Sequence, residues 1–321
     1  MKKIIISLVI LIIIITTIIC LFNKNVQPEY EDNKLNIITS IYPIYDFTKQ
    51  IAGDKANVTM LLPTGVEVHD YEPTPQDIIH VKNSDLFLFL GKELEPWGDT
   101  IVSGIDDTKN IKDISENINL IENEEFEKEY FNEENEEHEE HEKYDTHIWL
   151  DPTKSVTIVE NIEKELIAKD PQNADYYKTN AENYIKKLNK LDEDIKEIVN
   201  NAEKKEIAFG GPFSYAYFIK RYNIKFVTAY DSCGENGEPS VDKVFTVINE
   251  IKKNNLPVVF FKEMSSANIA KTIAEETGAE KLEFNSLHTV TKEQLENGEN
   301  YLSIMYKNVE NLKTAMQSKE K

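Results

Sequence analysis

Two histidines, His69 and His147, each lie in a short segment whose prolines restrict the backbone. Residues 62–75 around His69 contain three prolines, and residues 146–152 around His147 end in another. Because proline fixes φ, such loops are partly ordered before anything binds. An imidazole held in this way suits a metal ligand. The pattern predicts that two such side chains, far apart in the sequence, meet around one ion in the folded chain.

His288 is the third predicted ligand. It follows a short apolar stretch, residues 282–284, that is predicted to be a strand in the second half of the chain. Ligands of open α/β sheets bind beyond the carboxyl ends of the strands, so His288 would reach the same cleft. Neutral imidazole favours Zn²⁺, with Mn²⁺ as the alternative if carboxylates take part. His80, near the end of a short predicted helix, is expected to face solvent.

The acidic segment 122–145 carries two further histidines, His138 and His141. It holds 13 acidic residues and two lysines, so its net charge is half of the net charge of −22 of the whole chain. Self-repulsion and low hydrophobicity predict a disordered loop. Its two histidines are three residues apart, whereas the zinc-protease helix needs them four apart. Two interpretations stay open, a mobile loop that collects metal and a merely solvated run of charges.

The N-terminus has the pattern of an export signal. Two lysines precede 19 uncharged residues, 4–22, and Cys20 lies near the end of this run. Cys20 is expected to carry a lipid, although the preceding Ile19 is bulkier than usual at such a site. An uncleaved membrane helix and a plain buried cysteine are the alternatives. Lipidation and an uncleaved helix both predict a domain held at the outer face of the cytoplasmic membrane.

Composition excludes several classes of function. The acidity argues against nucleic-acid binding, which needs clustered Lys and Arg. No nucleophile elbow or Walker-type loop is present, so we do not expect an enzyme. There are only two cysteines, and lipidation of Cys20 would leave Cys233 unpaired. Cys233 is then either an inert thiol or a ligand lining the cleft.

Alternating strand and helix patterns predict an α/β fold with two lobes, each with a small, mostly parallel sheet flanked by helices. One long rigid helix, residues 171–203, is expected to join them, because apolar residues recur every three or four positions from Ala174 to Ile198. An exposed helical hairpin is the alternative. The predicted boundaries are 1–23 for the signal or anchor segment, 24–34 for a tether, 35–170 for the first lobe and 204–321 for the second.

Several motifs resemble those of the zinc and manganese substrate-binding proteins of ABC transporters, which in Gram-positive bacteria are usually lipoproteins. The similarity covers nearly everything from Leu35 onward. It is most specific at residues 65–75 and 147–152, and the acidic insertion resembles that of zinc-type members. The resemblance implies a metal held between two lobes, with His69 and His147 at two ligand positions of the family.

Two other positions depart from the family pattern. The third family histidine would align near Gly210, and the C-terminal carboxylate would align at Asn285. His288 is expected to compensate, with Glu67, Cys233 or water completing the shell.

The predicted function is capture of extracellular zinc and its delivery to an ABC permease by a monomeric protein. Affinity should fall at low pH, because ligand imidazoles must be deprotonated. A surface adhesin or metal-binding scaffold without a transport role is the main alternative. A zinc hydrolase is the other, since an incomplete shell leaves an open position.

Overall fold

Two separate four-stranded sheets form the framework of the molecule. The computed structural model describes residues 34–131, 143–230 and 239–318. The predicted signal segment and Cys20 therefore lie outside the described residues. The strands are β1 (Leu35–Thr39), β2 (Ala56–Met60), β3 (Leu86–Phe89), β4 (Ile111–Asp113), β5 (Glu206–Phe209), β6 (Lys225–Thr228), β7 (Val258–Phe261) and β8 (Glu280–Glu283).

Every pairing within the two sheets is parallel. The first sheet has the order β2-β1-β3-β4 and the second β6-β5-β7-β8, so each half repeats the same plan. Strand β3 is buried along its whole length, as its continuous apolar sequence predicts for a strand covered on both faces. The predicted fold class, two small parallel sheets flanked by helices, is confirmed.

Helices cover the sheets and connect successive strands. Thr74 caps one of them, accepting a hydrogen bond from the backbone N–H of Asp77. The helices of the described residues are α1 (Tyr42–Ala52), α2 (Pro75–Asn83), α3 (Gly98–Ser103), α4 (Asn123–Tyr130), α5 (Pro152–Lys169), α6 (Ala174–Asn200), α7 (Ala216–Tyr222), α8 (Val241–Asn254), α9 (Asn268–Thr277), α10 (Lys292–Glu296) and α11 (Tyr301–Met316). Within the described ranges, no helix has the length and apolarity needed to cross a membrane.

The long helix α6 has 27 residues, about 40 Å at 1.5 Å per residue. Its apolar stripe is buried as predicted from Tyr177 to Ile198. It packs against α5, with which it forms a hairpin, and also against α1 and α11. One apolar cluster contains this stripe together with Ile37 of the first sheet and Phe209 of the second. Helix α6 is therefore both one arm of a helical hairpin and the helix that lies between the two lobes in the sequence. A shared core joins the two sheets.

The acidic segment differs from the prediction over its first part. Residues 123–130 form helix α4, and Phe126 is buried in the common core. Its ring centroid lies 6.0 Å from that of Phe213 and 6.3 Å from that of Phe226. The disorder prediction averaged charge over the whole segment and so overlooked a few aromatic side chains whose burial orders this stretch. His138 and His141 lie outside the described residues.

Replacing Phe126 by Ala is expected to reduce the free energy of unfolding of the metal-free protein by about 3 kcal/mol, because a buried aromatic ring is lost. Urea unfolding followed by circular dichroism measures the change. Phe245→Ala is the matched control, since Phe245 is 57% exposed and its loss should have little effect. Equal stabilities of the two variants would contradict the packing of α4.

Candidate metal centre

Three short loops position the three predicted ligands. His69 lies in a single 3-10 turn, Val68–Asp70. The backbone N–H of Val68 donates a hydrogen bond to Oε1 of Glu67 at 3.1 Å. His147 directly precedes another 3-10 turn, Ile148–Leu150. His288 lies in the loop that follows β8. The three histidines thus lie in loops between the longer helices and strands.

The loops of His69 and His288 are hydrogen-bonded to each other across the two lobes. The backbone N–H of Gly65 donates to the carbonyl of Val290 at 3.1 Å and to Oγ1 of Thr289 at 2.9 Å. Gly65 has a φ of +77°, a conformation that favours glycine. These bonds set the separation between one lobe's histidine and the other's.

The structure brings the three imidazoles together. One ring nitrogen from each of His69, His147 and His288 lies within 4.8 Å of the others. The ring centroids of His147 and His288 are 4.3 Å apart, and those of His69 and His288 are 5.2 Å apart. His147 and His288 are buried, whereas His69 is half-buried and faces the opening of the site. This spacing allows all three to contact one cation.

The chemistry of His288 fits a metal ligand. The side chain is fully buried, and neither ring nitrogen has a hydrogen-bond partner among the residues that the structure describes. Its Nδ1 does lie 3.3 Å from Oε1 of Glu67. Burial, and then the nearby His147, Lys262 and His69, hold the pKa of His288 well below its usual value. The ring is therefore neutral, which is the form that binds a metal.

A carboxylate orients His147. Oδ1 of Asp145 accepts from the backbone N–H of His147 at 2.8 Å and lies 3.0 Å from Nδ1 of its ring. A hydrogen bond at Nδ1 fixes the ring and leaves Nε2 for a metal, an arrangement that metal-binding histidines commonly use. Asp145 was not predicted as a site residue, although its position two residues before His147 is a usable signal.

Glu67 reaches the site, but a lysine holds it. Oε2 of Glu67 accepts a hydrogen bond from Nζ of Lys262 at 3.1 Å. Burial by itself raises the pKa of Glu67, but the charge and hydrogen bond of Lys262 outweigh this, and the pKa lies below its usual value. Glu67 is therefore ionised. Lys262 was also missed, because nothing in its local sequence indicates burial beside a metal site.

These residues lie in a chain whose relatives are known. The family model described as ZnuA, zinc-uptake complex component A periplasmic, matches residues 37–315. The chain belongs to this family. Members of this family are components of metal-uptake systems and not enzymes, as predicted.

Individual relatives extend the comparison. The high-affinity zinc uptake system protein ZnuA of Bacillus subtilis is 35% identical over 289 residues, which is 90% of this chain and 89% of the relative. The zinc-binding lipoprotein AdcA of Streptococcus pneumoniae is 32% identical over 88% of this chain, which spans only 56% of that protein. The crystal structure of the Zn(II)-bound ZnuA-like domain of that AdcA matches with a TM-score of 0.73 and 30% identity, covering 89% of this chain and 100% of that one.

At Gly210 and Asn285, the two positions expected to depart from the family pattern, the structure shows what each residue does. A Cβ atom at Gly210 would lie 2.7 Å from Cα of Ala270, so no side chain fits there without a shift. Asn285 supports the His288 loop, because its Oδ1 accepts from the N–H of Leu287 at 2.8 Å. Leu287 has a φ of +59°, and this bond helps to hold that strained residue immediately before the histidine.

Further side chains hold the His288 loop from outside. Glu263 accepts from the N–H of Ser286 at 2.6 Å and from its hydroxyl. Nε1 of Trp149 donates to the carbonyl of Ser286 at 2.8 Å, which links this loop to the His147 turn. Asn308 pairs with the backbone of Asn285 in both directions. Cys233, the remaining candidate ligand, lies outside the described residues.

A small cavity of about 90 Å³ lies beside His69 and contains the buried carboxyl of Glu95. Trp97 and Thr146 also line it. One carboxyl oxygen of Glu95 accepts from the N–H of Leu90. Burial raises the pKa of Glu95 to about 8, so this side chain is largely protonated at neutral pH.

Asp145→Asn is expected to weaken metal binding about tenfold, since the charge that orients and polarises His147 is removed. Isothermal titration of the metal-free protein with zinc measures the change. Asp99→Asn, an exposed change on α3, should leave the affinity as it is. An affinity for Asp145→Asn equal to that of the control would refute the orienting role.

Glu95→Gln is expected to become more stabilising as the pH rises. Because the carboxyl titrates near 4.5 when unfolded and near 8 when folded, it stabilises the fold fully below pH 4.5, and this contribution is lost as the pH rises through 8. The glutamine does not ionise, so its advantage in unfolding free energy should grow by about 4 kcal/mol between pH 5 and pH 9. Denaturant unfolding of both proteins without metal measures this. A pH-independent difference would contradict the assignment.

Proposed function

We propose that this protein captures zinc outside the cytoplasmic membrane and delivers it to an ABC permease in that membrane. The proposal rests above all on one observation, the convergence of His69, His147 and His288 to within 4.8 Å. Membership of the zinc-uptake family supplies the context for that geometry. Three neutral imidazoles can bind a divalent cation without any covalent chemistry, as a carrier requires.

The donor set favours zinc over manganese. Imidazole nitrogen is a preferred zinc ligand, whereas manganese prefers carboxylate and water oxygen. Among the interactions described above, two carboxylates lie beside the three rings, and both are already engaged. Asp145 contacts the N–H and Nδ1 of His147, and Glu67 is paired with Lys262. We therefore propose zinc as the transported ion. The relatives ZnuA and AdcA are named for zinc uptake and zinc binding, which supports the same choice.

We further propose that the protein works as a monomer anchored at its N-terminus. The lysine pair, the apolar run and Cys20 support attachment by a lipid or by a retained helix. The shared core supports small loop movements at the site instead of wide separation of the lobes, since α6 packs against elements of both halves. Release to the permease would then proceed through the loops that carry the histidines.

The wild-type protein is expected to bind one zinc ion per chain, and His288→Ala should weaken that binding roughly 100-fold, because a buried ligand is lost. Titration against a chromophoric chelator measures both quantities. His80→Ala is the matched control, since His80 lies on α2, is half-buried and does not belong to the cluster of three rings. Unchanged affinity in His288→Ala would reject His288 as a ligand.

Delivery is tested with the same variants in cells that lack their own zinc-binding protein but keep the permease. The wild type and His80→Ala should restore uptake of radioactive zinc at limiting concentration, and His288→Ala should not. A protein that binds zinc tightly but restores no uptake would favour the adhesin or scaffold alternative.

A further inference from the structure

Lys262 places a positive charge inside the candidate metal centre. It directly follows β7, and its side chain is only 4% exposed. Lysine is almost never buried without a partner of opposite charge. Here Nζ lies 3.1 Å from Oε2 of Glu67, which belongs to the loop of the other lobe. A cation at this depth, beside histidines suited to bind a second cation, calls for a functional explanation.

The geometry makes Glu67 a shared group. One of its oxygens contacts the ammonium of Lys262, while the other lies 3.3 Å from Nδ1 of His288. The carboxylate therefore lies between the lysine and one of the three predicted ligands. Its negative charge, which would otherwise favour a bound cation, is already neutralised. With neutral imidazoles, Glu67 and Lys262 together contribute no net charge, and Asp145 beside His147 is a further carboxylate near the rings.

A divalent ion at the three imidazoles would bring two positive charges close to that ammonium. Like charges a few ångströms apart repel strongly where water is largely excluded, because the effective dielectric constant is low. The hydrogen bond to Lys262 also occupies an oxygen that could ligate the metal. Both effects lower the affinity for the ion.

We propose that Lys262 is an affinity-determining residue that weakens zinc binding by its charge and by retaining Glu67. This inference rests on the proposed zinc-binding function. A carrier must give up its ion, and an internal cation keeps the complex from becoming too stable for transfer. A purely structural ion pair between the lobes would have the opposite consequence, since its loss would disorder the site and weaken zinc binding.

The test measures zinc affinity of the metal-free full chain by competition with a chelator. Lys262→Met, which keeps the length of the side chain but not the charge, should bind zinc at least tenfold more tightly. Lys262→Arg keeps the charge and should stay close to the wild type. Lys204→Met is the matched control, because Lys204 donates to the carbonyl of Asn254, away from the site. The double variant Glu67→Gln/Lys262→Met should lose much of the gain, since the released carboxylate is absent.

Equal or weaker zinc binding by Lys262→Met, with an unchanged thermal midpoint without metal, overturns the proposal. If the methionine variant does not fold, Lys262→Gln replaces it, because glutamine still donates a hydrogen bond to Glu67 but carries no charge. A smaller gain in zinc affinity is expected there, because only the effect of the charge is removed, and the absence of any gain is equally decisive. Failure of the wild type to bind zinc would instead overturn the proposed function, so the two outcomes are distinguished.

Discussion

The structure depends on holding three imidazoles, from three distant segments of the chain, within 4.8 Å of one another between two lobes. Two of them are buried, and neither ring nitrogen of His288 has a hydrogen-bond partner within the part of the chain that the structure describes, which is costly unless something binds it. The surrounding fold has to prevent these rings from moving apart or turning to solvent. The backbone hydrogen bonds from Gly65 to the His288 loop and the common apolar core meet this requirement, because they fix both lobes relative to each other.

Support for the histidines is distributed unevenly. His147 is oriented by one nearby carboxylate, Asp145, whereas His288 depends on a loop held by Glu263, Asn308 and Trp149. The second arrangement is more elaborate because a strained residue, Leu287, precedes the histidine. His69 is the most accessible of the three and lies beside the cavity that contains Glu95. An ion entering from solvent would meet the half-buried His69 first.

Charge has separate roles at the surface and at the site. The chain as a whole is strongly acidic, which raises the local concentration of cations around it. At the site itself, the charge of Glu67 is neutralised by Lys262, so attraction is not maximal where the ion would be held. Capture and release place opposite demands on a carrier, and these two features address them at different distances from the centre.

The sequence by itself determined the α/β fold, the long helix and the choice of His69, His147 and His288. Periodicity and proline-restricted loops are local properties, and they can be recognised without knowing what they contact. Helix α4 was missed because the packing of Phe126 on Phe213 and Phe226 joins residues some 90 to 100 positions apart, while the local charge suggested disorder. The contacts of Lys262 and Glu263 with the site, and the steric reason for a glycine at position 210, were likewise visible only in the tertiary structure. Burial, ion pairing and steric exclusion depend on which distant groups become neighbours, and no local pattern encodes that.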